Sequence, residues 1–327
     1  MGYVLWLSLS TPKLFVLLLR AVLLPAMIKL HQLQAFMEAA RSGSIRKAAE
    51  VLGLSQPSLS RSLTLLEREV GTPLLRRSVR GVSVTPAGKT LLSKARLIEH
   101  EMAAIQESFR RDQGVLSGEV SIGVSPLFAI QHLPRFLPEF LARYPQVQPK
   151  ICDGLYPTIW ERLREGAIDA YFGPIPVSNR PADLAFDTLL LGQITITVRK
   201  GHPLVRARTI SDLRSAQWVV AGHEDGPGRI VNQLFREHRL EPPAPAVSCE
   251  SFLAMMSLIA NSDMVGMVPD CMLDASAYDL MRVPVVETMP QPRQGVTMLK
   301  HAALHPSALV FIRQLKAWIQ QHPMAAG

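Results

Sequence analysis

Cysteine is scarce in this sequence: Cys152, Cys249 and Cys271 are the whole supply in 327 residues. They are odd in number, far apart and lack metal-ligand spacing. That excludes a disulfide framework and a zinc module, and predicts reduced core or pocket thiols in a reducing compartment. The nine histidines are scattered just as widely. No GxSxG, HExxH, P-loop or GxGxxG pattern occurs, so no catalytic residue, metal site or cofactor is expected. His31 falls on the polar side of a helix, and Asp153 with Glu161 or Glu165 reads as ordinary helix N-terminal charge. Low-complexity tracts and internal repeats are missing too, which argues against disorder and solenoids. No uninterrupted apolar run reaches the roughly 18 residues of a membrane-spanning helix. At 327 residues the chain is long enough for two or three domains.

What the sequence does have is positive charge in one place. Residues 29–96 hold 12 Lys or Arg against 4 Asp or Glu, whereas residues 97–327 hold 21 against 23. The same basic segment contains two short helix signals joined by a tight turn. Ser44 is a good N-cap, followed at helical spacing by apolar Ile45, Ala48, Ala49 and Leu52, with Gly53 as the stop. Ser55 caps the next helix, Pro57 stands in its first turn, and Leu59, Leu63 and Leu66 form its inner face. The outer face carries Gln56, Ser58, Arg61, Ser62 and Arg68. This is the pattern of a helix-turn-helix whose second helix fits the major groove of double-stranded DNA, with a basic footprint for the phosphates. Before it, Leu33, Phe36, Met37 and Ala40 predict the inner stripe of a first helix ending at Ser42 and Gly43. After it, residues 74–75 and 82–84 bracket a basic loop as a small β-wing.

The ordered run MIKLHQLQAFMEAARSGSIRKAAEVLGLSQPSLSRSLTLLEREVGTPLLRRSVRGVSVTPAGKTLL closely resembles the N-terminal domain of LysR-type transcriptional regulators. The likeness extends more loosely to the C-terminus. It implies an α/β chain with a winged helix-turn-helix, a long dimerisation helix and a two-lobed effector domain like a periplasmic binding protein. It also implies base readers at Gln56, Pro57, Ser60 and Arg61, with Arg80 at the wing tip entering the minor groove. On physical grounds Gln56 suits an adenine edge, Arg61 a guanine and Pro57 a thymine methyl, while Arg76 and Arg77 suit phosphates. Ser58 completes the expected DNA face. The implied partners are a dyad-symmetric operator, a small effector, further copies of the chain in a dimer or tetramer, and RNA polymerase, in the cytoplasm.

Thr85-Pro86 opens a helix predicted to run from 86 to about 111. Leu91, Leu92, Ala95, Ile98, Met102 and Ile105 keep it apolar along one side, as a dimerisation element requires. From Gly118 onward strands alternate with helices, predicting βαβ units and a mostly parallel sheet. The expected domains are 27–85 for the winged helix-turn-helix and 86–113 for the linker helix. One effector lobe is expected at 117–191 plus 290–327 and the other at 192–289, with two crossover strands as hinge. Helices are predicted at 127–144, 157–165, 229–238, 252–260 and 306–321.

Open α/β sheets bind ligands beyond the carboxyl ends of their strands, so the cleft between lobes is the expected effector site. Ser125 at a strand-to-helix turn predicts a small anion site. Tyr156, Pro157 and Thr158 open the next helix toward the same cleft, and Gly173 ends the third strand. From the other lobe come Gly226, Gly228 and Arg229, whose backbone amides would cradle an acidic group, and Ser248. A carboxylate or sulfonate on an aromatic or small organic ligand suits this set. CDGLYP, DGPGR and CESFLA also resemble the regulators of aromatic sulfonate breakdown and aminobenzoyl-glutamate use within the family.

Residues 1–26 are apolar but broken by Pro12, Lys13, Arg20 and Pro25. A start at Met27 is expected, with a loose tail or a membrane anchor as alternatives; peptides from 1–26 in the native protein would exclude that start. No membrane partner is expected unless this segment is real. Two rival functions remain open on the residues alone. A solute-binding protein of the same two-lobed fold is disfavoured by the basic segment. A ligand-independent architectural DNA-binding protein leaves the α/β portion without a use.

Overall fold

The structure, a computed structural model, describes residues 28–78, 81–110, 116–223, 225–275, 278–300, 302 and 304–322. The expected start at Met27, the wing-tip Arg80 and the end of the linker helix at 111–113 lie outside them. One compact unit ends at Arg96 and a second begins at Leu97.

The first unit contains three helices, α1 (Leu30–Ser42), α2 (Ile45–Val51) and α3 (Gln56–Val70), and a hairpin of β1 (Leu75–Ser78) with β2 (Gly81–Val84). The caps form where the sequence places them. The hydroxyl of Ser44 accepts the Lys47 N–H at 3.4 Å and that of Ser55 accepts the Ser58 N–H at 3.3 Å. Gly43 and Gly71 end α1 and α3 in the left-handed region, where only glycine is unstrained. Leu59, Leu63 and Leu66 pack on Leu33, Phe36 and Leu74. Each such buried side chain contributes about 1.5–3 kcal/mol. The inner stripe of α1 differs from expectation. Gln32, Ala35 and Ala39 are buried beside Leu33 and Phe36, while Met37 and Ala40 are half-buried. Gln32 is tolerated inside because its Oε1 accepts the Lys29 N–H at 2.8 Å and its Nε2 donates to Glu69 at 3.4 Å.

Helix α4 runs Pro86–Arg110 from the Thr85 cap, whose hydroxyl accepts the Gly88 N–H at 3.0 Å. Ala95 is buried, whereas Ile98 and Met102, four residues apart on one face, are exposed; the side chain of Ile105 is not among the described ones.

The second unit contains two five-stranded sheets. The first has the order β4 (Gln146–Asp153), β3 (Ser117–Val124), β5 (Ala170–Pro174), β12 (Arg293–Leu299), β6 (Leu184–Leu191). The second has the order β11 (Leu280–Arg282), β7 (Ile194–Arg199), β10 (Met264–Pro269), β8 (Gln217–Ala221), β9 (Val247–Cys249). Neither is mostly parallel. In each, two neighbouring pairs are parallel and two antiparallel, because β12 runs against β5 and β6, and β7 against β10 and β11. The crossover segments expected only as hinge strands enter the first sheet as β6 and β12. The two crossovers touch where Gly192 N–H donates to Pro292 O at 2.7 Å.

Helices α5 (Pro126–Gln131), α6 (Leu133–Arg143) and α11 (Pro306–Gln321) cover the first sheet through Phe128, Phe136, Phe140, Phe311 and Leu315. The single helix expected at 127–144 is broken at His132. Pro134 has no N–H to give and its ring collides with the preceding turn. Helices α7 (Thr158–Arg164), α8 (Arg229–Glu237), α9 (Phe252–Asn261) and α10 (Cys271–Ala275) complete the unit. Trp218, Phe235, Val265 and Ile196 centre the second core. Among the described residues no helix is long and apolar enough to cross a membrane.

Candidate functional site

The leucine face of α3 decides which way its polar face points. With Leu59, Leu63 and Leu66 inward, Gln56, Pro57, Ser58 and Arg61 are exposed and Ser60 is half-buried. The Ser60 carbonyl accepts the Thr64 hydroxyl at 2.9 Å, leaving its own hydroxyl outside that bond. On β1, Leu75 faces the core while Arg76 and Arg77 are exposed. Arg61, Arg76 and Arg77 form no ion pair with a carboxylate among the described residues, in contrast to Arg41 with Glu38 at 2.9 Å and Arg46 with Glu50 at 3.2 Å. Uncompensated cations beside a polar helix face suit phosphates and base edges.

The second site is a cavity of about 690 Å³ lined from both sheets of the α/β unit. Ser125, Tyr156, Pro157, Gly226, Gly228 and Arg229 all line it, as the sequence predicts. Ser125 is 2% exposed, its side chain does not cap α5, and its hydroxyl has no hydrogen-bond partner among the described residues. A buried hydroxyl left in that state costs about 1–3 kcal/mol, which a bound polar group would recover. Tyr156 stacks on Trp160 with ring centroids 4.9 Å apart and planes 7° apart. Burial pushes the Tyr156 phenol up to about 12, and the Arg229 charge opposes that shift. Tyr156 is therefore a neutral phenol at any physiological pH. Arg229 lies 3.8 Å from Asp225, too loosely held to be neutralised.

The two glycines act differently from expectation. Their amides are already used, since Gly226 N–H donates to His223 O at 2.8 Å and Gly228 N–H to Ala221 O at 2.9 Å. What they supply is room. A Cβ on Gly226 would stand 2.9 Å from the Tyr156 carbonyl, and one on Gly228 would stand 2.7 Å from the Ala221 carbonyl. Thr158, Gly173 and Ser248 are not brought to the cavity. Thr158 and Ser248 are exposed elsewhere, and Gly173 is packed under the Tyr171 ring.

Three lining groups were not read from the sequence. Trp160 supplies the aromatic floor, Gln294 is 5% exposed with Oε1 unpartnered, and Val177 stands on a rim loop that Arg180 hooks back through Pro176 O at 2.9 Å. Gln294 lies on β12, and recognising that strand would have pointed to it. Cys152, Cys249 and Cys271 form no disulfide, and burial pushes the Cys249 thiol up, which makes it a poor nucleophile. Among the described residues no cluster of His, Cys, Asp and Glu is placed to hold a metal ion.

Residues 30–89 match the family described as bacterial regulatory helix-turn-helix protein, lysR family, and residues 113–320 match the LysR substrate binding domain. The HTH-type transcriptional regulator TdcA of Escherichia coli is 25% identical over 298 residues, covering 91% of this chain and 94% of that protein. The SDS degradation transcriptional activation protein of a Pseudomonas species is 30% identical over 267 residues, covering 80% and 85%. The HTH-type transcriptional regulator GalR of Pseudomonas putida is 27% identical over 258 residues, covering 78% of this chain and 65% of its own length. In fold, the chain is similar to full-length OxyR of Pseudomonas aeruginosa (TM-score 0.69, 19% identity, 91% and 98% covered). It is similar as well to CbnR, a LysR family regulator (TM-score 0.65, 21% identity, 89% and 99% covered). A helix-turn-helix match, a substrate-binding match and relatives named as regulators rather than enzymes lead to one conclusion: this chain belongs to the LysR family of DNA-binding transcriptional regulators.

Proposed function

We propose that the chain regulates transcription by coupling the cavity to the DNA face, with a small anionic, preferably aromatic, effector. The observation that carries this reading is the buried, unpartnered Ser125 hydroxyl in a cavity shared with the Tyr156–Trp160 stack and Arg229. A carboxylate or sulfonate accepts from Ser125 and is drawn by Arg229, while an aromatic ring packs on the stacked floor. Tyr156 and Pro157 shape that wall, and Gly226 and Gly228 keep the opposite one close.

In this reading residues 27–85 are the DNA-binding domain and 86–113 the dimerisation helix. Residues 117–191 with 290–327 form one effector lobe and 192–289 the other. Gln56, Pro57, Ser58, Ser60 and Arg61 read bases, Arg76 and Arg77 hold phosphates, and Arg80 enters the minor groove. The exposed Ile98 and Met102 on α4 support pairing with a second copy, and a dimer or tetramer suits a dyad-symmetric operator. RNA polymerase is the further partner, and the cytoplasm the compartment. The effector acts only through different affinities for two lobe arrangements.

A mobility shift on the DNA upstream of the chain's own gene, repeated with a panel of aromatic carboxylates and sulfonates, tests the reading. The expected result is a retarded band on that duplex over random competitor, with mobility or footprint altered by at least one acid. Equal binding to both duplexes, or indifference to every anion alongside a response to neutral or cationic compounds, contradicts it.

A further inference from the structure

Two carboxylates, Glu67 and Glu69, stand in the last turn of α3, and simple electrostatics gives neither a reason to be there. A helix C-terminus carries partial negative charge and disfavours acids. A surface that binds phosphates is weakened by each nearby anion. Glu69 is engaged inside the unit through Gln32. Glu67 is engaged with the hairpin. Its Oε1 accepts the Leu74 N–H at 2.8 Å and the Leu75 N–H at 3.1 Å.

These two amides belong to the buried root of the hairpin, where Leu74 is 0% and Leu75 7% exposed. Water cannot readily replace the carboxylate there, so each amide would otherwise stay unsatisfied. The return strand is fixed separately. Thr85 N–H donates to Leu74 O at 2.9 Å, the Thr85 hydroxyl to Pro73 O at 2.8 Å, and Val82 N–H to Gly43 O at 2.8 Å. Beside the leucine packing, Glu67 thus ties the start of the outgoing strand to α3 by hydrogen bonds. Arg76 and Arg77 follow Leu75 at once, so Arg77 is only about 7 Å of strand from the anchor.

We propose that Glu67 is a positioning residue for DNA binding, one that fixes the direction in which the hairpin leaves α3 and so sets where Arg76 and Arg77 meet the phosphates. The proposal rests on the reading that α3 and the hairpin touch the same duplex. Its mechanism is geometric. A neutral acceptor of the same shape serves as well, and the negative charge itself only opposes DNA.

The test measures affinity of the full chain for the duplex upstream of its own gene across a range of KCl concentrations. The variants are Glu67→Gln, Glu67→Ala, Arg77→Ala and the double variant. Glu67→Gln keeps an acceptor oxygen and is expected to bind within about twofold of the parent or more tightly. Glu67→Ala is expected to lose about tenfold, the value of the lost anchoring bonds. That loss has the opposite sign to the gain expected from deleting an anion beside phosphates. Its salt slope should fall by about one to two, as phosphate contacts disappear. Arg77→Ala should cost the parent affinity yet add almost nothing in the Glu67→Ala background. If Glu67→Ala fails to fold, Glu67→Asp, one methylene short of the amides, replaces it in the same cycle. Parental affinity and slope in Glu67→Ala, or an undiminished Arg77→Ala cost in the double variant, overturns the positioning role. An Arg77→Ala variant that binds like the parent overturns instead the hairpin contact beneath it.

Discussion

Arg61 and Ser125 belong to surfaces that treat polar groups in opposite ways. Arg61 stands in solvent on a helix whose other side is leucine, and no carboxylate among the described residues pairs with it. Ser125 is buried at a cavity wall, and its hydroxyl has no hydrogen-bond partner among the described residues. The first surface suits a partner that brings dense negative charge, and exposure costs a solvated cation nothing. The second encloses a buried hydroxyl, and in the proposed reading a small molecule supplies its hydrogen-bond partner. In the reading proposed above, one chain uses charge to find DNA and desolvation to recognise a ligand.

The largest effect is expected at the core that orients the polar face of α3. Leu63→Ala is expected to cost about 2–5 kcal/mol of stability. Chemical denaturation followed by helical circular dichroism measures it. A cost below about 1 kcal/mol would mean that α3 is not oriented by this core. At the cavity, Ser125→Ala is expected to weaken the response to an active anion by about tenfold while leaving DNA affinity without ligand unchanged. Titration calorimetry with that anion and a parallel mobility shift check both halves, and an unchanged response removes Ser125 from the site.

His132 sharpens the contrast in another way. Burial, then the neighbouring His322 charge, lowers it to about 4 from the usual 6.5, and its ring lies against Phe128 and Trp318. The folded state therefore keeps it neutral while the unfolded chain takes up a proton below about 6.5. Stability is present above that pH and falls as pH drops from about 6.5 toward about 4. His132→Phe should flatten that slope in thermal melts of the chain at graded pH; an unaltered slope assigns it to other groups. The smallest effects are expected at Thr158 and Ser248, which lie outside the cavity. Alanine at either position should change ligand response by less than about twofold, corresponding to surface substitutions within about 0.5 kcal/mol.

Much of the DNA-facing unit was legible because its signals are local. Ser44, Ser55, Gly43 and Thr85 act within a turn of themselves, and a leucine every three or four residues needs no distant partner. The cavity was harder because its walls come from far-apart strands. Ser125, Tyr156 and Arg229 line it from strand-to-helix turns, which are visible in sequence. Thr158 and Ser248 were not separable from them, because one helical or strand step decides which way a side chain points. Gln294 was missed with its strand, since a crossover that pairs antiparallel leaves no βαβ signature. The role of Gly226 was misread for a related reason: an alignment of amides is local, but the close approach of the Tyr156 carbonyl is not.

Binding of Arg61→Ala to the duplex upstream of the chain's own gene and to single-base variants of it decides whether α3 reads DNA. The expected result is a loss of about 1–3 kcal/mol on the parent site, together with lost discrimination at one base pair. An equal loss on every sequence, or no loss at all, would contradict the assignment of α3 as the helix that reads DNA.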